Sequence, residues 1–367
     1  YKEVVKMKVF KNIFSIMLLL LLLLSFAITA FGQELEIIPI GEKFYFKNTH
    51  SHNDYYRARP LLDAIDNGMG SIEADVYYIE LSITDDVENS RVMKELYVAH
   101  DWDEITGDSD YKTKGTLQNL YLDPLYEIYL SNGGKIYNTP EETLLLHVDF
   151  KTDTDKTWNL LQSILKNYPG LFTTYERDTK KVTQGPVTVF TNAEPENIPD
   201  EWSTFYSTAD GRFGNIYDPE VWKSDAYLNF KHRMPIISSN LIAYNDITQF
   251  FDFLVPKEDI IEEYVSDYPE LSMDTLYEVL RDNEWALANR LIEDGKIKVS
   301  DYLISQMKKA DNLGKEYGHL MRFWASPDYQ WFWDIQSPLT NVMINTNRPE
   351  TLRKYLMHKA YIAQHTP

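Results

Sequence analysis

Four short runs gather residues whose types and spacing could do acid–base or metal chemistry. The first is NTHSHNDYY (residues 48–56), with His50 and His52 two apart and Asn53 next to the second. A His-x-His can hold a metal, supply an acid–base catalyst or simply furnish a polar loop. The second is SIEADVYY (71–78), where Glu73 and Asp75 alternate with apolar residues. The third is LYVAHD (96–101), an apolar run closed by His100. The fourth is TLLLHVDFK (143–151), which places His147, Asp149 and Lys151 at alternate positions.

Strand geometry sorts these residues by face, because successive side chains point to opposite sides. Ile72, Ala74 and Val76 suit a helix layer, so Glu73, Asp75 and Tyr77 point the other way. Leu144, Leu146, Val148 and Phe150 likewise leave His147, Asp149 and Lys151 on the opposite face. Two inward carboxylates on one strand are costly unless they are paired or bind a cation. Each residue taken alone also has a structural reading, as an ion pair with a barrel Lys or Arg or as a hydrogen-bonded histidine. Their common place near the C-terminal ends of strands favours a site.

The elements that must position them follow from the pattern of the whole chain. Strands are expected at 43–50, 71–78, 94–100, 143–150, 186–192, 203–208, 234–240, 320–326 and 340–346. Helical patterns lie between them at 59–68, 155–170, 273–295, 301–314 and 348–360. Alternating strands and helices imply a parallel sheet, and eight such strands suit a TIM (β/α)8 barrel as a single domain. The ninth strand fits if 77–100 make a β excursion around TDDVEN (84–89). A doubly wound sheet lacks its GxGxxG signal; GMG (68–70) reads as an isolated turn.

Composition narrows the partners. The chain has 367 residues, a net charge of −20 and no cysteine. Acidity argues against nucleic acid, and the lack of cysteine excludes thiol catalysis and disulfides. Residues 1–32 read as a secretory signal peptide. Lys8 and Lys11 precede the uncharged run 13–32, and Ala30 and Gly32 make a small-x-small cleavage site. Met7 is a candidate start after an upstream readthrough. Residues 33–367 would then be a secreted or periplasmic monomer with no stable membrane insertion. The alternative is an N-terminal membrane anchor, since about 20 uncharged residues can span a bilayer.

In order, SHNDY, IEADV, VAHD and VDFK resemble the phosphatidylinositol-specific phospholipase C-like and glycerophosphodiester phosphodiesterase superfamily. TLQNLYLDPL (116–125) and RFWASPD (322–328) are similar to motifs of its altered-inheritance-of-mitochondria-like branch. The resemblance covers most of residues 44–346. It implies His52 and His100 as the catalytic pair, Glu73, Asp75 and Asp149 as metal ligands, and Lys151 at the phosphate. Asn53 stands where the superfamily's phosphodiesterases carry arginine. It resembles instead the asparagine metal ligand of eukaryotic phosphoinositide phospholipases, leaving phosphate neutralisation to the metal and Lys151. Such a set implies a phosphoric diester hydrolase that uses Ca²⁺ or Mg²⁺ on a small-molecule or lipid-derived diester. Two rivals stand beside it. An amidohydrolase would use His50 and His52 for a metal but needs histidines after later strands, where STFYSTADG and MPIISSN have none. His232 lies before its strand. A binding protein without turnover could keep the same barrel.

Overall fold

The computed structural model describes residues 38–40, 43–86, 89–109, 111–138, 143–195, 198–212, 236–241, 285–295, 299 and 301–365. The leader expected at 1–32, residues 273–284 of an expected helix, and His232 lie outside them.

The fold is α/β, built on a curled parallel sheet. In chain order its first strands are β1 (Ile38–Ile40), β2 (Lys43–Ser51), β3 (Met69–Asp86), β4 (Asn89–Val98) and β5 (Leu144–Phe150). A small separate sheet holds β6 (Thr174–Glu176), β7 (Val182–Thr183) and β9 (Thr204–Phe205). The main sheet continues with β8 (Val187–Thr191), β10 (Ser207–Ala209), β11 (Gly211–Arg212), β12 (Ile236–Asn240), β13 (Leu320–Trp324) and β14 (Val342–Thr346). Across the sheet the order is β10-β8-β5-β3-β2-β14-β13-β12-β11. Every neighbouring pair along that path is parallel. Only Asp210 separates β10 from β11 in the chain.

Burial sets the register of these strands. Ile72, Ala74 and Val76 of β3, Leu144, Leu146 and Val148 of β5, and Val187 and Val189 of β8 join one core. They share it with Trp158, Leu161 and Leu165 of the helix Thr154–Leu165. A fully buried aliphatic side chain contributes roughly 1.5–3 kcal/mol, so a one-residue slip, which would turn this face outward, is strongly disfavoured. The opposite face is therefore fixed as well. On it Leu145, Phe190, Ile236 and Met343, from four strands, pack into a small apolar floor.

Two expectations need revision, and a third is met. The strand expected at 203–208 is divided between β9 and β10. Gln162 takes over the hydrogen bonds at the break: its side-chain oxygen accepts the Tyr206 N–H (2.8 Å), and its amide donates to Ser207 Oγ (2.7 Å). GMG is not an isolated turn but the place where the chain enters β3 packed tightly against β2. Gly68 has φ +74°, and a Cβ there would collide with the Phe44 carbonyl; one on Gly70 would collide with the Lys47 carbonyl. Finally, β3 runs to Asp86, well beyond the sheet. β4 returns antiparallel to it, paired from Asp86↔Asn89 back to Val76↔Val98. This is the expected β excursion, and it is what brings His100 back beside Asp75.

Candidate active site

The seven residues to which the resemblance gives roles, His52, Asn53, Glu73, Asp75, His100, Asp149 and Lys151, line one cavity of about 600 Å³. Parallel pairing explains the convergence of the acids. Glu73 is in register with His147, and Asp75 with Asp149. Glu73, Asp75 and Asp149 each offer an oxygen, and these oxygens lie within 4.8 Å of one another.

Glu73 is the hub. Its Oε1 accepts from Arg322 Nη2 at 2.9 Å and from His147 Nδ1 at 3.0 Å. Its Oε2 accepts the Asn53 backbone N–H at 3.1 Å and lies 3.6 Å from both His50 Nε2 and His52 Nε2. Burial alone would raise its pKa. The Arg322 guanidinium, with the hydrogen bond from His147, outweighs that and holds Glu73 well below the ordinary carboxylate range. Asp75 has no such partner. Burial, with Glu73's charge adding, pushes it up to about 7 despite Lys151 Nζ at 2.9 Å. Lys151 also reaches Asp149 at 3.5 Å, and Asn192 Nδ2 donates to Asp149 at 2.7 Å. Lys151 thus bridges the two aspartates, and their charge keeps it protonated against the pull of burial.

Asn53 adopts a left-handed backbone (φ 48°, ψ 48°), a conformation asparagine tolerates better than most residues. The turn aims its N–H at Glu73. The Tyr55 hydroxyl lies 2.9 Å from both Asn53 Oδ1 and Asp75 Oδ2, tying the loop to the acids. Beneath it Asp54 accepts from Ser51, from the Leu61 N–H and from Tyr121 of the TLQNLYLDPL motif. That motif is therefore support for the loop.

The histidines differ. His52 is about one-quarter exposed, and its Nδ1 donates to Asn347 Oδ1 at 3.0 Å. This leaves the lone pair on Nε2, facing the acids. Burial lowers its pKa, against Glu73's charge, so it is neutral near pH 7 and able to accept a proton. His100 is 43% exposed at the rim, with Nδ1 3.2 Å from Asp101. Its N–H donates to Glu104, and the Tyr77 hydroxyl donates to its carbonyl. His50 is fully buried below the cavity, hydrogen-bonded to Ser71 Oγ at 2.8 Å. Burial and then Arg322 push it down to about 3, so it stays neutral.

His50, Glu73 and His147 also lie close enough to share an ion. Arg322 argues against one, since its guanidinium is 2.9 Å from Glu73 and 3.3 Å from His147 Nδ1 and already supplies the positive charge. A guanidinium lines the cavity, delivered from β13 rather than from the first loop.

Sequence reasoning missed Arg322 and Asn347 and gave His147 no role. The signal for Arg322 lay in RFWASPD itself. Asp328 of the same motif accepts the Asn347 N–H at 2.8 Å and so holds the loop that orients His52. His147 was legible only as an inward residue of TLLLHVDFK.

Residues 40–198 match the AIM6-like phosphodiesterase domain. The chain is 34% identical to altered inheritance of mitochondria protein 6 of Eremothecium gossypii over 188 residues, 46% of this chain and 44% of that protein. To the protein of the same name from Lachancea thermotolerans it is 26% identical over 299 residues, 76% of this chain and 57% of that one. The chain thus spans about half the length of these relatives. A glycerophosphodiester phosphodiesterase crystal structure from Parabacteroides distasonis aligns with 86% of this chain and 99% of its own, at 13% identity. Its TM-score of 0.37 is too low to carry an argument. By its motifs and by this similarity, the segment 40–198 resembles the AIM6-like phosphodiesterase domains.

Proposed function

We infer that the chain is a metal-dependent phosphoric diester hydrolase of the glycerophosphodiesterase and phospholipase C kind, working on a (β/α)8 barrel. The observation that carries this reading is the shared cavity: three carboxylates within ligand reach, a lysine between two of them, and two histidines at their edge. Closure of the barrel is supported by the two ends of the sheet path, β10 and β11, lying one residue apart in the chain.

The donor set fits a hard dication. Glu73 Oε2, Asp75 and Asp149 supply anionic oxygens and Asn53 Oδ1 a neutral one, which suits Ca²⁺ or Mg²⁺. Such an ion, when bound, polarises a phosphoryl oxygen and offsets its charge. His52, held by Asn347 with Nε2 unprotonated, takes the proton of the attacking hydroxyl. His100, at the open rim beside Asp101, donates a proton to the departing oxygen. Lys151 turns from Asp75 to a phosphoryl oxygen. Arg322 keeps Glu73 ionised and fixes its orientation without touching the substrate. Residues 1–32 would direct the chain out of the cytoplasm, with 33–367 acting as a monomer on a soluble or lipid-derived diester.

The test follows glycerophosphodiesters, inositol phosphodiesters and lysophospholipids by phosphorus NMR with Ca²⁺ and with Mg²⁺. Turnover should vanish in EDTA. It should fall on the order of 10²-fold or more in His52→Ala and in His100→Ala, the range general acid–base groups contribute. Full turnover in EDTA would sink the metal-dependent reading. Calcium binding without cleavage of any diester would favour a binding protein.

A further inference from the structure

The segment that leaves β4 carries His100 and then turns into the short helix Trp102–Thr106. Glu104, in that helix, is 4% exposed. Among the described residues no lysine or arginine forms an ion pair with it. A buried carboxylate without a cation is costly unless hydrogen bonds satisfy it. Glu104 has two. Its Oε2 accepts the His100 N–H at 3.0 Å, and its Oε1 accepts the Tyr56 hydroxyl. Burial, then the bond to Glu104, raise the Tyr56 hydroxyl above its ordinary pKa, so it stays a donor. The mechanism above makes no use of Glu104 or Tyr56.

We propose that Glu104 is the positioning residue of the acid histidine, a clamp that joins the loop presenting His100 to the loop presenting His52. That His100 is the acid rests on the phosphodiesterase reading; the clamp itself rests on geometry. A glutamate at the third position of a helix ordinarily turns back to the N–H of the residue that caps it. The capping residue here is Asp101. Glu104 reaches one residue further, to His100, and sends its second oxygen out of the helix to Tyr56, 48 residues away. A purely local cap needs neither step. Tyr56 closes the turn that follows Asn53, and its ring stands 6.5 Å from the His100 ring.

Further ties make the same connection from the far end of the segment. Thr113 donates its N–H to the Glu104 carbonyl at 3.0 Å and its hydroxyl to the Val98 carbonyl at 2.7 Å, closing residues 98–113 into a loop. The Lys114 ammonium donates to the Arg57 carbonyl, and the Arg57 guanidinium donates to the His52 carbonyl at 3.1 Å. At 43% exposure the His100 ring has little packing to hold it, so its place is set by its backbone. The step it serves breaks the bond between phosphorus and the departing oxygen. That oxygen keeps the electron pair and takes a proton from His100. A shift of about 1 Å in such a group can cost on the order of 10²-fold in rate.

The experiment compares glycerol ethyl phosphate with glycerol p-nitrophenyl phosphate, using the full chain with Ca²⁺ and with Mg²⁺. An alkoxide needs a proton to depart, whereas p-nitrophenolate leaves without one near neutral pH. Glu104→Leu should lower kcat on the ethyl ester about tenfold or more, with KM little changed, and should lose far less on the p-nitrophenyl ester. His100→Ala should show the same pattern. Adding Glu104→Leu to His100→Ala should cost the ethyl ester nothing further, because residues that act as a unit are lost together. Glu104→Gln should recover most of the turnover, since its amide oxygen accepts the His100 N–H and its amide N–H donates to the Tyr56 oxygen. Tyr56→Phe cuts one arm of the clamp and should show the Glu104→Leu pattern at smaller size; it decides the matter if Glu104→Leu does not fold. A ratio of the two esters that Glu104→Leu or Tyr56→Phe leaves unmoved, a full further loss on the His100→Ala background, or Glu104→Gln as damaging as Glu104→Leu would overturn the clamp. If the unaltered protein cleaves no diester, the phosphodiesterase reading fails separately, and hydrogen exchange decides. The His100 amide should then exchange about tenfold or more faster in Glu104→Leu, the scale of one lost hydrogen bond, and slow again in Glu104→Gln. Exchange unmoved by Glu104→Leu overturns the clamp.

Discussion

Glu73 carries a structural task beside the ligand role that its motif implies. Its place in IEADV marks it as an acid of the cluster, yet one of its two oxygens is taken by Arg322 and His147. Truncating it would leave a guanidinium buried and unpaired. Glu73→Gln should therefore destabilise the protein by about 3–5 kcal/mol at pH 7, as well as impair turnover. The double variant Glu73→Gln/Arg322→Met should recover much of that loss, measured by urea denaturation. The pH dependence has a definite sign. Because the folded-state pKa of Glu73 lies well below its ordinary 4.5, its stabilising contribution is complete above that value. It is lost as the pH falls through the depressed value. The urea midpoints of the unaltered protein and of Glu73→Gln should thus draw together at strongly acid pH. A constant gap down to that range would show that ionisation of Glu73 is not what the fold uses.

At the scale of elements, the close pass of β2 and β3 matters most, since those strands carry or lead into His52, Asn53, Glu73 and Asp75. Gly70 permits it by having no Cβ to meet the Lys47 carbonyl. Gly70→Ala should force the strands apart, costing about 1–3 kcal/mol as overpacking does, and should lower turnover more than a surface Gly→Ala change. Gly107→Ala is the control, because its Cβ would meet nothing within 4 Å, although its φ of +85° carries a strain of its own. Thermal unfolding of the two variants distinguishes a steric clash from backbone strain. The β3–β4 hairpin is the other decisive element. Its length was visible as a run of β-formers around TDDVEN. That it folds back to set His100 against the acids depends on pairing 22 residues apart, Val76 with Val98.

For the whole molecule, net charge sets the approach of substrate. A chain of charge −20 repels an anionic diester. Added salt screens that field, with a Debye length of about 8 Å near 0.15 M. For a singly anionic diester, kcat/KM should rise with monovalent salt between about 10 and 150 mM, whereas a zwitterionic diester should respond less. A fall for the anionic substrate would mean that the local positive charge of Lys151 and a bound cation governs approach instead.

The sequence by itself determined the strand faces, the order of the acidic and histidine motifs and the alternation of strands and helices. These are local properties, fixed by side-chain period and by which residues can afford burial. It also placed Asp149 and Lys151 correctly on the inward face of their strand. Only the tertiary structure decided which polar groups meet. Arg322 lies 249 residues from Glu73 and Asn347 lies 295 from His52, and both contacts exist only because β13 and β14 sit beside the first strands in the sheet. The same nonlocal pairing moved His50, the residue that first suggested a metal, beneath the cavity and made it neutral. Burial and neighbouring charge set such roles, and neither can be read before the chain has folded.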